Sequence, residues 1–123
     1  MISPNLIKIL LIDDEPDICQ AWSMLLQMEG MEVVTAQNGE QGLLKAQSFL
    51  PTVVLCDFMM PVMNGLEVCR AIKAQPRLHD VPFILWSAAR DIENDGIADI
   101  VVAKPIHIDV LLSHIQTALD SRS

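Results

Sequence analysis

The sequence predicts an α/β fold in which a five-stranded parallel sheet is covered by helices on both faces. Five short apolar runs alternate along the 123 residues with segments whose apolar positions recur at helical spacing. The runs lack the polar alternation of a half-exposed strand, which is typical of parallel strands that are buried on both faces. Because four of the five runs end on polar residues, the sequence also predicts a polar site at one edge of the sheet.

The first strand is expected at residues 6–12, a nearly continuous aliphatic run that ends on acids. Pro16 suits the first turn of a helix, and apolar residues then recur at helical spacing until Gly30 offers a stop. A short second strand follows at residues 32–36. These elements form the first repeat of the strand–helix alternation.

The second helix is expected after Asn38 and Gly39, which turn the chain, and it should end at Pro51. The third strand follows with a wholly apolar run at residues 53–56, and this run ends on Asp57. A strand that carries a carboxylate at its end is the feature on which the predicted site depends.

The third helix should begin after Gly65 and end before Pro76, and a polar link leads to a fourth strand at residues 81–86. Residues 89–98 have weak periodicity, so a shortened or irregular fourth helix is expected there before a fifth strand at residues 100–103. The final helix carries an apolar stripe at helical spacing, formed by Ile108, Leu111, Leu112, Ile115 and Leu119.

Length and composition indicate one domain that spans residues 1–123, with no output domain in this chain. The formal net charge of −8 disfavours direct binding to nucleic acid or to an anionic membrane. No uninterrupted apolar run exceeds five residues, whereas a membrane span needs roughly 20, so a cytoplasmic protein is expected. The three cysteines suggest neither a disulfide framework nor a zinc site, and they are interpreted as small buried or helix-face residues.

The alternation fits a flavodoxin-like sheet with strand order 2-1-3-4-5, in which the first and third strands are neighbours. Asp13, Asp14 and Asp57 would then share one crevice beyond the strand ends. Three adjacent carboxylates repel one another, and oxygen ligands of this kind suit Mg²⁺. Lys104 supplies a fixed positive charge and Ser87 supplies a hydroxyl. Together these groups form a cradle for a transferred phosphoryl group, with Asp57 as the nucleophile.

Four motifs at the strand ends resemble the signature regions of a response-regulator receiver domain. They are LLIDDEP at residues 10–16, VVLCDFMMPVMNGLE at 53–67, ILWSA at 84–88 and VVAKPI at 101–106. The resemblance covers nearly the whole chain. It implies a two-component signalling protein that accepts a phosphoryl group from a phosphohistidine of a sensor histidine kinase or a histidine phosphotransfer protein. The output partner is not evident from the sequence.

The resemblance also assigns roles to individual residues. It implies that Asp57 accepts the phosphoryl group and that Ser87 and Lys104 contact the phosphoryl oxygens. Asp13 and Asp57 would bind Mg²⁺ directly, Asp14 mainly through water, and the backbone carbonyl of Met59 would complete the protein ligands.

Three departures from the family pattern affect the mechanism. Val101 stands where the family commonly has an aromatic residue that rotates inward on activation, and valine has little to rotate. The stretch between Ser87 and Lys104 is shorter than the family leads us to expect, so a standard dimer through that face is not predicted. Met59 and Ala89 cannot activate water, which predicts slow self-dephosphorylation.

Two other functions fit parts of the pattern. A small Mg²⁺-dependent phosphohydrolase of the haloacid-dehalogenase type would also use an aspartyl-phosphate, but that family has a second acid where Met59 stands. A receiver-like scaffold that is never phosphorylated would not need the complete acidic set.

Met59, Met60 and Met63 are a candidate contact surface, while His79, His107 and His114 are expected to be solvated.

Overall fold

The computed structural model describes residues 6–87, 98–104 and 106–120. Within them, the chain forms five strands and four helices. These are β1 (Lys8–Ile12), α1 (Pro16–Met28), β2 (Glu32–Ala36), α2 (Gly39–Phe49), β3 (Val53–Asp57), α3 (Gly65–Lys73), β4 (Phe83–Ser87), β5 (Ile100–Ala103) and α4 (Ile108–Asp120). The shortened helix predicted before the fifth strand falls on residues that lie almost entirely outside those ranges, as does Ala89.

The five strands are all parallel and lie in the order β2-β1-β3-β4-β5, which confirms the predicted topology. The register pairs Ile12 of β1 with Cys56 of β3, so the two strands end side by side. Asp57 in turn pairs with Trp86 of β4. The carboxyl ends of β1, β3 and β4 therefore meet at one edge of the sheet.

Side chains from alternate strand positions build one apolar core on each face of the sheet. Leu10 and Ile12 belong to the core under α2 and α3, whereas Ile9 and Leu11 face the other core. All five residues of β3 and all five of β4 are buried. Burial of each large aliphatic side chain contributes roughly 1.5–3 kcal/mol, which explains why continuous apolar runs form these central strands.

Helix ends follow the local signals in the sequence. Pro16 occupies the first turn of α1, and the side chain of Asn38 accepts a hydrogen bond from the Gln41 amide at the start of α2. The first and fourth strands differ from the predictions in their bounds. The first strand begins at Lys8, and the fourth covers Phe83–Ser87, so Ser87 lies inside the sheet. The predicted polar link before β4 contains Leu78, which is buried in the core.

The three cysteines are all buried, as predicted. Burial raises the pKa of the Cys19 thiol to about 11 and that of Cys69 to about 12. Since the thiolate is the reactive form, we expect all three cysteines to resist iodoacetamide at about pH 8 in the folded chain and to react once it is denatured. Mass spectrometry after alkylation measures this, and rapid native labelling of any one cysteine would contradict it.

Among the described helices, none combines the length and the apolar character that a membrane span requires.

Candidate functional site

Three carboxylates gather where β1 and β3 end. Asp13, Asp14 and Asp57 each offer an oxygen within 4.8 Å of the other two. Asp13 is fully buried, Asp57 is 5% exposed, and Asp14 is half-buried. The crevice predicted from the strand order is thus present, and it opens to solvent on the side of Asp14.

Backbone hydrogen bonds fix the two buried carboxylates to the sheet. The amide of Asp13 donates to the carbonyl of Ala36 at 3.0 Å, which continues the β1–β2 pairing by one residue. The amide of Phe58, directly after Asp57, donates to the carbonyl of Trp86 at 2.9 Å. Both acids therefore extend from backbone whose position is set by neighbouring strands.

Lys104 reaches this carboxylate cluster from the end of β5. Its amide donates to the carbonyl of Ser87 at 2.8 Å, and its Nζ lies 3.1 Å from Asp13 Oδ2 and 3.2 Å from Asp57 Oδ1. One ammonium group thus bridges the two buried acids. This agrees with the sequence prediction that Lys104 supplies the fixed positive charge.

Burial and neighbouring charges act in opposite directions on the pKa values here. Burial raises the pKa of Asp57, the Lys104 charge opposes that rise, and Asp13 adds to it, so that the pKa of Asp57 is raised. Burial alone would lower the pKa of Lys104, but its hydrogen bond and charge interaction with Asp13, and then those with Asp57, raise it. The ammonium therefore stays charged, while three carboxylates still outnumber it.

An oxygen-only donor set of this kind fits a hard divalent cation. Carboxylate oxygens are the side-chain ligands that Mg²⁺ prefers, and Mg²⁺ keeps several waters when only one or two carboxylates bind it. The half-buried Asp14 gives the cluster a side that is accessible to solvent. The chemistry of the described residues is thus consistent with Mg²⁺.

Ser87 and Met59 occupy the two remaining predicted site positions. Ser87 is fully buried at the last position of β4, one residue beyond the strand partner of Asp57. Met59 lies two residues after Asp57 in the loop to α3, and its side chain is 60% exposed. Their predicted roles at the site remain predictions.

The loop after Asp57 returns tightly to the site. The amide of Gly65, the first residue of α3, donates to the carbonyl of Phe58 at 2.9 Å. A Cβ on Gly65 would lie 2.5 Å from the carbonyl oxygen of Asp57, so only glycine fits without displacement. A capping box between Asn64 and Glu67 fixes the start of the helix. The sequence predicted a helix that begins after Gly65, but neither the close contact nor the capping box was predicted.

The predicted methionine contact surface requires correction. Met59 is exposed, but Met60 is buried in the core and Met63 packs against that core. Met60 belongs to the same buried cluster as Val68 and Cys69 of α3, so the three methionines do not form one continuous surface. Val101 is 43% exposed on β5, and His79 and His107 are exposed, in line with expectation, while His114 is half-buried.

A buried acid at the carboxyl end of the third strand, with two acids beside it and a lysine from the fifth, is the arrangement that the resemblance to receiver domains predicts. The chain matches the family model for the response regulator receiver domain over residues 9–116. It belongs to that family of two-component signalling proteins, whose members are regulatory domains and not classical enzymes.

Relatives of known name agree with this membership. The chain is 30% identical over 117 residues to the DNA-binding dual master transcriptional regulator RpaA of Synechocystis, covering 91% of this chain and 48% of the relative. It is 35% identical over 104 residues to the transcriptional regulatory protein PhoP of Bacillus subtilis, covering 80% of this chain and 42% of the relative. The chain thus spans about half the length of these curated relatives.

Solved structures share the whole fold. The chemotaxis protein CheY4 of Vibrio cholerae superposes with a TM-score of 0.87 at 32% identity, covering 93% of this chain and 99% of that one. The response regulator TrrA of Thermotoga maritima, solved in complex with Mg²⁺ and BeF, gives a TM-score of 0.83 at 35% identity, covering 92% and 99%.

Proposed function

We propose that this chain accepts a phosphoryl group on Asp57 from a phosphohistidine of a sensor histidine kinase or a histidine phosphotransfer protein. The observation that carries the proposal is the position of Asp57 at a strand end, within 4.8 Å of two further acids and 3.2 Å from the Lys104 ammonium. Family membership supports the phosphodonor class. It also supports a cytoplasmic location, which is part of the proposal.

The proposed reaction uses few groups of the protein. A carboxylate oxygen of Asp57 attacks the phosphorus, the bond from phosphorus to the donor imidazole nitrogen breaks, and the imidazole leaves with the electron pair and takes a proton from solvent. The product is an acyl phosphate on Asp57. Lys104 neutralises one equatorial oxygen of the transferred group, and the Ser87 hydroxyl donates to another.

Asp13, Asp14 and the Met59 carbonyl are proposed to hold Mg²⁺ together with Asp57. When bound, Mg²⁺ supplies positive charge that offsets the carboxylates and stabilises the charge on the phosphoryl oxygens. The chain's own contribution is to keep Asp13 buried and oriented beside Asp57, with Lys104 bonded to both.

Mg²⁺ is therefore expected to stabilise the folded chain. A ligand that binds only the folded state adds about 2.7 kcal/mol when its concentration is 100 times the dissociation constant. We expect the unfolding midpoint to rise with Mg²⁺ and to fall back when a chelator is added. The Asp13→Asn variant should lose most of this response, and a midpoint that does not depend on Mg²⁺ would contradict the metal assignment.

Incubation of the purified chain with phosphoramidate or acetyl phosphate and Mg²⁺, followed by intact-mass analysis, tests the proposed function. We expect one phosphoryl adduct per chain, which hydroxylamine removes because acyl phosphates react with it. Continuous release of inorganic phosphate without a lasting adduct would favour the phosphohydrolase alternative. A chain that takes up no phosphoryl group would favour the scaffold alternative.

Slow loss of the phosphoryl group is a further expectation. The exposed Met59 side chain lies beside Asp57 in sequence and offers no group that activates or orients an attacking water. We expect the adduct on the purified, Mg²⁺-loaded chain to persist well beyond seconds, and a Met59→Asn variant to lose it faster because an amide can orient water. The decay is followed by intact mass after the phosphodonor is removed, and a half-life of seconds would refute the expectation.

The output partner of the whole protein is also part of the proposal. The relatives extend well beyond the length that this chain matches, and one is named a DNA-binding regulator. We propose that phosphorylation alters binding to an output partner, either a separate protein or a further domain. The acidic composition argues against direct binding of nucleic acid by the receiver domain itself.

A further inference from the structure

Trp86 lies directly beneath the Lys104 ammonium. The Nζ atom is 4.8 Å from the centroid of the indole ring, and the ring is fully buried. The ring also packs against Trp22 of α1 in an edge-type contact, with the centroids 5.2 Å apart and the planes at 66°. Lys104 thus has two carboxylates as hydrogen-bond partners and an aromatic face as a third partner.

The aromatic face restrains a group that would otherwise move easily. A lysine ammonium is carried on a flexible four-carbon stem, and its hydrogen bonds do not fix its direction as a guanidinium fork would. The negative face of an indole attracts a cation, most strongly where water is excluded. Trp86 can therefore hold the ammonium near Asp57 without using a hydrogen-bond acceptor.

The indole nitrogen shows that packing alone does not explain this residue. Of the buried side-chain nitrogens and oxygens in the described part of the chain, Nε1 of Trp86 is without a hydrogen-bond partner. An unpaired buried donor is destabilising, and a phenylalanine would avoid it. Compared with phenylalanine, the indole has a larger and more electron-rich face, and Lys104 lies over that face.

The backbone of Trp86 is tied to the phosphoacceptor as well. Its carbonyl accepts the hydrogen bond from the Phe58 amide, and its Cα pairs with that of Asp57 in the sheet. Trp86, whose ring contacts Lys104, and Asp57, whose carboxylate accepts a hydrogen bond from Lys104, thus belong to neighbouring strands that are hydrogen-bonded to each other.

We propose that Trp86 is a positioning residue for phosphoryl transfer, whose indole face keeps the Lys104 ammonium within reach of the Asp57 oxygens. This proposal rests on the proposed function. Its consequence is that Lys104 can exchange a carboxylate oxygen for a phosphoryl oxygen while its contact with the ring persists.

Fluorinated tryptophan tests the proposal because fluorine withdraws charge from the ring face with little change in its size. Chains with ordinary and with fluorinated tryptophan are compared, each with Lys104 and as Lys104→Met. The denaturation midpoint in chelator and the rate of phosphorylation by phosphoramidate with Mg²⁺ are measured for all four chains. The Lys104→Met pair cancels any effect of fluorine on packing or on Trp22, the other tryptophan of the chain.

We expect fluorination to lower the midpoint and to slow phosphorylation about 3- to 10-fold when Lys104 is present, with no further effect in Lys104→Met. Trp86→Phe should slow the reaction less than Trp86→Leu. Phe83→Leu, a buried aromatic change on the opposite face of the same strand, should leave the rate unchanged.

The possible failures are distinguishable. If the unlabelled chain takes up no phosphoryl group, the proposed function is wrong and the positioning role falls with it, whatever the midpoints show. If the unlabelled chain is phosphorylated, but fluorination changes the rate equally with and without Lys104, the positioning role alone is refuted.

Discussion

Replacing Asp57 with asparagine is expected to abolish the phosphoryl adduct while the chain stays folded. The amide has nearly the same shape, and its oxygen can still accept the hydrogen bond that Lys104 donates at 3.2 Å. It lacks the anionic oxygen that attacks phosphorus. Intact mass after treatment with phosphoramidate and Mg²⁺ measures the loss, and Asp17→Asn serves as the control because it removes an exposed acid of α1 that lies outside the cluster. An adduct of equal yield on Asp57→Asn would move the nucleophile to another side chain.

The same variant should change stability in a direction that depends on pH. Burial raises the pKa of Asp57 in the folded chain, so the folded state favours the protonated acid. Stability from this group is therefore present at low pH and is lost as pH rises through the raised pKa. In chelator at neutral pH, Asp57→Asn should be more stable than the wild type, and the difference should shrink as pH falls. Denaturant titrations across that range check the sign, and a difference that grows towards low pH would contradict it.

The sequence was sufficient to predict the sheet, because the strand signals are local and strong. Residues 32–36 and 100–103 form strands with the predicted bounds, and the order 2-1-3-4-5 is the flavodoxin-like order that the alternation with helices fits. Boundaries depend on tertiary pairing and were less accurate. β4 begins after Pro82, whose carbonyl accepts from Val54, and it ends on Ser87, whose carbonyl accepts from Lys104. Neither bond has a local signal.

The sequence predicted which residues lie near one another at the site, but it predicted few of the contacts between them. Parallel strands in register bring their ends together, so the meeting of Asp13, Asp57 and Lys104 follows from topology. The positive φ of 70° at Val62 has no counterpart in the sequence, because a β-branched residue rarely adopts that conformation. The contact of Trp86 with Lys104 could not be predicted either, since it requires the direction of a side chain on β4. The one feature of the sequence that pointed to this contact is that Trp86 directly precedes the predicted site residue Ser87.

Gly65→Ala is expected to destabilise the chain and to displace Asp57. The new Cβ would lie 2.4 Å from Cδ1 of the fully buried Leu85, 2.5 Å from the Asp57 carbonyl oxygen and 2.9 Å from the Phe58 Cα. Two of these three atoms belong to the backbone, which rotation of a side chain cannot move away. Overpacking of this kind costs typically about 1–3 kcal/mol, more than the gain of about 1 kcal/mol that alanine brings as a helix former. The free energy of unfolding should therefore fall, and because the strain acts on the Asp57 carbonyl, the rate of phosphorylation should fall as well.

Gly39→Ala is the matched control for this effect. It is also a glycine at a helix start, and its added Cβ would meet Met63 Sδ at 2.5 Å and Val68 Cγ2 at 2.8 Å, both of which are side-chain atoms. The unbranched methionine can adopt another rotamer, which relieves the shorter contact, and the remaining contact with Val68 involves a side chain and not the Asp57 backbone. Denaturant unfolding should thus show a smaller loss for Gly39→Ala than for Gly65→Ala, and phosphorylation by phosphoramidate should be slowed only in the latter. If the two variants lose equal stability and rate, the close packing of Gly65 against the Asp57 backbone does not position the phosphoacceptor.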